Sequence, residues 1–228
     1  MTFRAVLLGA AVFTSLLAVR DAGATTVLAF GQNSTSPTVT ASDPTASTTT
    51  ISALDVPITI TSILAGGTAP LQAFFTLSAT STDYATYDAT ITGSYYERFD
   101  GTFSIRSAAA GGGTNYLSGS FQDVTGALGS SATLRSTTPN QLVSFTSDTI
   151  PISSLSDPKA LALSFTDVNP AINGLCGPAG AQTLCGFTAS VSGVFSANAA
   201  AVPEPASFAI LGGTLLSAGV VRRKRTLA

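Results

Sequence analysis

From Leu54 onward, apolar and polar side chains alternate with a period of two in one short run after another. Leu54, Val56, Ile58 and Ile60 alternate with Asp55, Thr59 and Thr61, and Pro57 interrupts the run. Because proline cannot donate to a ladder, this run is expected to be an edge strand. Phe75, Leu77 and Ala79 alternate with Thr76, Ser78 and Thr80, and Ile91, Gly93 and Tyr95 alternate with Thr90, Thr92 and Ser94. Asp100-Gly101 stands between Phe99 and Phe103-x-Ile105, a dipeptide that predicts a hairpin turn. Tyr116–Phe121 and Val143-x-Phe145 are further short strands. Leu161, Leu163 and Phe165 alternate with Ala162, Ser164 and Thr166. Phe187, Ala189, Val191, Gly193 and Phe195 alternate with Thr188, Ser190 and Ser192, the clearest strand of the chain.

Between Thr25 and Ala201 no window of twelve or more residues holds a 3.6 period. Short alternating strands separated by Gly, Pro, Asp and Ser predict an all-β fold, an antiparallel β-sandwich or a jelly roll. One face of each strand then packs inward while the Thr/Ser face meets water. Residues 32–50 are dense in Ser, Thr and Pro, which fits either a loosely ordered segment or the polar face of early strands. The Ala108–Gly113 run is a loop. It lacks the lysine and the strand-to-helix context that a phosphate-binding glycine loop needs.

The two ends of the chain read differently. Arg4, the apolar run Ala5–Val19 and the small residues of Ala22-Gly23-Ala24 form a secretory signal, with cleavage after Ala24 and a mature chain starting at Thr25. At the other end, 206–221 is an uncharged run of 16 residues between Glu204 and the basic cluster Arg222, Arg223, Lys224 and Arg225. As a helix it reaches roughly 24 Å against a hydrocarbon core of about 30 Å, and the cations resist transfer across the bilayer. Pro203 and Pro205 keep Val202–Pro205 extended ahead of that helix, the conformation that a protease or transpeptidase accepts.

Val202-Pro203-Glu204-Pro205, a short apolar helix and a terminal basic cluster, in that order, resemble the PEP-CTERM sorting signal. The resemblance covers residues 202–228 only. It implies processing by an exosortase, a membrane-embedded transpeptidase, after transient anchoring in the inner membrane of a Gram-negative, often exopolysaccharide-producing host. It implies a sorting route and no activity. The expected organisation is a signal peptide at 1–24, a Ser/Thr-rich segment at 25–50, a β-domain at 51–195, a linker at 196–201 and the sorting tail at 202–228.

Composition narrows the function. The body carries four basic residues, Arg98, Arg106, Arg135 and Lys159, against ten acids, so nucleic acid is not an expected partner. Cys176 and Cys185, with eight residues between them, are expected to form one local disulfide in an oxidising compartment. The chain has no histidine, which removes the usual general base, the common triads and most zinc sites. Asp83 with Asp88, and Glu97 with Asp100, are the nearest carboxylate pairs and read as turn and solvated acids. Asp167, Asn169 and Asn173 form only a weak calcium pattern, without an Asp-x-Asp-x-Asp-Gly loop. Neither a catalytic residue, a cofactor nor a metal is expected. The expected role is a non-enzymatic cell-surface or matrix protein associated with exopolysaccharide. The alternative is a carbohydrate-binding module, with Tyr84, Tyr87, Tyr95, Tyr96 and Tyr116 as a stacking platform.

Overall fold

The computed structural model describes residues 24–34, 38–43, 48–64, 69–81, 83–88 and 93–199. The expected signal segment through Gly23, Ile91 and the whole of the expected sorting tail lie outside these residues, as do Val202–Pro205 and Arg222–Arg225. Among the described residues, no helix is long and apolar enough to cross a membrane.

The described chain is all-β and antiparallel. Its long strands are β1 (Thr25–Gln32), β3 (Thr50–Ile63), β4 (Leu71–Ser81), β6 (Tyr95–Arg106), β7 (Asn115–Leu128), β8 (Ser131–Thr137), β9 (Leu155–Asn169) and β12 (Phe187–Ala199). Shorter ones are β2 (Val39–Ser42), β5 (Thr86–Tyr87), β10 (Leu175–Cys176) and β11 (Thr183–Leu184). From β3 to β9 each long strand pairs with the next, and β12 then pairs with β9. Strands β1 and β2 lie end to end between β12 and β3, so the hydrogen bonding returns on itself. This is consistent with a β-sandwich whose layers share continuous ladders. The neighbour-to-neighbour order lacks the Greek-key crossings of the jelly roll that was the other expectation.

Alternation produces the core. Phe187, Ala189, Val191 and Phe195 on β12, with Leu161, Leu163 and Phe165 on β9, are all buried. Near the middle, Phe195 stacks on Phe103 at 4.6 Å between ring centroids and meets Phe145 at 6.0 Å and Phe30 at 6.2 Å. Phe30 in turn lies 4.9 Å from Phe75. These rings are the largest payload of apolar burial in the interior.

Several sequence expectations change. Leu54 does not continue the inward face and is 80% exposed. The register shifts between Ala53 and Val56, where Asp55 has a positive φ of 49°. That bulge carries the buried phase from Ile51 and Ala53 to Val56, Ile58 and Ile60. Strand β3 is also not an edge. Pro57 is accommodated because β1 reaches only to Ile58 and β2 begins its pairing at Ser52, which leaves a gap between them. Asp100-Gly101 is not a hairpin turn but lies inside β6. Gly101 is there for space: a Cβ would sit 2.7 Å from the Ser78 carbonyl oxygen and 2.6 Å from Phe121. The hairpin turn comes later, at the Ala/Gly run before β7, where Gly111 and Gly113 take positive φ. Strands β1 and β2 fall in the stretch assigned to a separate N-terminal segment, so for Val39–Ser42 the early-strand alternative applies. Strand β12 runs on through the expected linker to Ala199, with Ala197 buried.

Candidate functional site

Strand phase and register build a polar layer at one end of the interior. On β2 the buried positions are Val39 and Ala41, so Asp43 continues the inner side beyond the last pair, Ser42 with Thr50. On the facing strand Thr49 precedes Ile51 on the same side, and both are fully buried. Strand β4 contributes Ser81, in phase with Leu77 and Ala79. Its hydroxyl accepts the Thr49 N–H at 2.7 Å, and its own N–H donates to the Thr49 carbonyl at 2.8 Å. Strand β6 contributes Glu97, in phase with Phe99, Phe103 and Ile105 and only 1% exposed. Directly across on β7 stands Thr125, fully buried.

A disulfide-closed hairpin covers this layer. Cys176 and Cys185 are bonded, as expected, and β10 and β11 pair within the loop they close. The Leu184 N–H donates to Glu97 Oε2 at 2.7 Å. The Thr49 hydroxyl lies 3.3 Å from that same oxygen and 3.1 Å from the Leu184 carbonyl oxygen, one proton shared between two acceptors. The Ala85 N–H donates to the Gln182 carbonyl at 2.8 Å, tying the cover to the residues ahead of β5. Burial pushes the Glu97 carboxyl above its ordinary value of 4.5. The Leu184 N–H and the nearby Ser81 and Thr49 hydroxyls offset part of that rise, and the Asp43 carboxylate adds to it. Glu97 is thus not the solvated acid its sequence context implied. Its phase with Phe99, Phe103 and Ile105 was the available signal.

The outer face of β6, β7 and β8 forms a second feature. Tyr96, Arg98 and Asp100 point outward, and Tyr96 registers with Gly126 and through it with Thr133. Arg98 and Arg135 both register with Val124, and Asp100 registers with Gln122. An open groove of about 700 Å³ is lined by Asp83, Arg98, Asp100, Gln122, Asn140 and Gln141. Beside it, a second hollow of about 490 Å³ is lined by Asp88, Tyr96, Leu128 and Arg135, among others. The Arg98–Asp83 pair, at 3.9 Å and solvent-exposed, contributes little to stability.

The expected tyrosine platform does not assemble as a whole. Tyr84, Tyr87 and Tyr96 are exposed, and Tyr87 meets Tyr95 edge-on at 5.8 Å. Tyr95 packs against the core, and so does Tyr116, which lies at the opposite end of the β6–β7 pair. Of the expected cleavage residues, Ala24 is exposed just ahead of β1, while Ala22 is outside the described residues. Asp167 and Asn169 lie at the end of β9, and Asn173 accepts the Tyr95 hydroxyl through its carbonyl at 3.5 Å. Among the described residues, no three His, Cys, Asp or Glu side chains gather around a point. No family model matches the chain, and comparisons with curated proteins and with solved structures find no similar protein.

Proposed function

We propose that this chain is an exported, non-enzymatic protein of the cell surface or extracellular matrix, associated with exopolysaccharide and sorted through its C-terminal tail. The observation that carries the reading is the tail itself: Val202-Pro203-Glu204-Pro205, an apolar run and Arg222–Arg225, opposite a secretory signal ending at Ala22–Ala24. An exosortase-type enzyme is its processing partner, and the inner membrane holds it transiently by a short C-terminal helix. The Cys176–Cys185 bond fits an oxidising compartment. We read the fold as a β-sandwich, a scaffold that carries many functions and dictates none. Fractionation of host cells tests the route. The protein should accumulate outside the cell, and replacing Pro203 and Pro205 by alanine should hold it in the membrane fraction. Equal release of the two forms would overturn the route.

Carbohydrate binding is the second reading, favoured by the outer face of β6–β8. Tyr96 pairs across the strands with a glycine, and the hollow that it lines also carries the Asp88 carboxylate and the Arg135 guanidinium, an arrangement suited to stacking on a sugar ring and to bonding its hydroxyls. Affinity electrophoresis in the host polysaccharide tests it. Retardation that Tyr96→Ala abolishes would support the reading, and no retardation by any host polysaccharide would sink it.

A further inference from the structure

We propose that the polar layer beneath the Cys176–Cys185 hairpin is a binding site for one hard divalent cation of the calcium type, held by Asp43, Glu97, Thr125 and Thr183. Four buried oxygens there have no hydrogen-bond partner: Asp43 Oδ1, Glu97 Oε1, Thr125 Oγ1 and Thr183 Oγ1. Glu97 is 1% exposed and Thr125 and Thr183 are fully buried, so solvent does not supply the missing partners. Buried polar atoms are almost always satisfied, and a cluster that is not calls for a bound water or ion. Glu97 and Thr125 are direct cross-strand neighbours, and the backbone N–H one residue beyond Thr183 bonds to the Glu97 carboxylate. Asp43 follows the last β2–β3 pair on the inner side and acts electrostatically on Glu97. Register places Glu97 beside Thr125, and the Leu184–Glu97 bond and the end of β2 bring Thr183 and Asp43 to the same polar layer.

Charge decides between a water and a cation. Water satisfies hydrogen bonds but brings no counter-charge to the buried Glu97 carboxylate, which has the half-buried Asp43 carboxylate near it. The two ion pairs among the described residues, Arg98–Asp83 and Lys159–Asp157, involve neither Asp43 nor Glu97. The donor set is all oxygen, which selects calcium or magnesium over the softer metals. The chain has no histidine, and both cysteines are in the disulfide. Calcium takes about six to eight oxygens in flexible geometry, so backbone carbonyls and water complete a set that has only two carboxylates.

The test uses the native protein purified from its host, stripped with EDTA and titrated with Ca²⁺. At about 100-fold excess over Kd, the thermal midpoint should rise by about 5–10 °C. Tb³⁺ should displace Ca²⁺ and luminesce on tyrosine excitation, since Tyr95 lies two residues from Glu97 on the same strand face. Glu97→Gln should abolish both responses, and Thr125→Val should weaken both while leaving the carboxylates in place. An unchanged midpoint with Ca²⁺, or a Ca²⁺ response retained in full by Glu97→Gln, overturns the proposal. If Glu97→Gln fails to fold, Thr125→Val decides, and a response equal to that of the parent overturns it.

Discussion

The interior has two unlike regions built on the same strands. Around Phe195 the inner positions of β1, β4, β6 and β12 supply Phe30, Phe75, Phe103 and Phe195, and Phe145 joins them from the loop before β9. About six residues along β6 from Phe103, the same inner row reaches Glu97, and its neighbours are Asp43, Thr49, Ser81 and Thr125. The aromatic region is held by burial, which needs shape but no partner-by-partner matching. The polar region is held by hydrogen bonds and by the hairpin that covers it, so each missing partner counts. The first supplies most of the apolar burial, and the second holds the proposed cation site.

Deleting an aromatic ring should break this contrast most strongly. Phe195→Ala removes a side chain in contact with three other rings and should destabilise the fold by about 3–5 kcal/mol, read from urea denaturation. Opening the cover should do less. Replacing Cys176 and Cys185 by alanine should destabilise the fold by about 2–3 kcal/mol and speed hydrogen exchange at the Leu184 amide. Exchange there that is no faster than in the parent would mean that the hairpin does not depend on its disulfide. Gly101→Ala sits between the two regions. Its Cβ would be 2.7 Å from a backbone oxygen, and the overpacking should be worth about 1–3 kcal/mol.

The smallest expected effect is a pH slope in EDTA. The folded state holds a proton on Glu97 more readily than the unfolded state does, because burial dominates. The stability this contributes is fully present below 4.5 and is lost as pH rises through the higher folded-state value. The urea midpoint of the parent should therefore fall with rising pH relative to that of Glu97→Gln. Parallel pH profiles for the two proteins would show that Glu97 is not held in a dry site.

Much of the aromatic region was legible in the sequence, and little of the polar one. The alternation of Phe187 through Phe195, of Leu161 through Phe165 and of Phe75 through Ala79 reports inward faces directly, because one side of each strand meets the core. Leu54 misleads because the bulge at Asp55 shifts the phase, and a bulge leaves no mark in hydrophobicity. Asp100-Gly101 misleads because glycine serves close packing as well as turns, and only the neighbouring strand says which. The charge of Glu97 suggests a surface position, although its place in the row of Phe99 and Phe103 points inward. Asp43 reaches the layer at the end of β2, which pairs with the distant β12, and Thr183 beside the Leu184–Glu97 bond, and no local pattern encodes either contact. The disulfide was legible because its loop is short and no other cysteine competes.

The most direct test of the proposed route is the intact mass of the native protein from the membrane and extracellular fractions of its host. The account predicts a chain that begins at Thr25 and ends near Pro203–Pro205, with any excess mass at that end identifying an attached group. A chain that runs through Ala228 and is found only in membranes would contradict it.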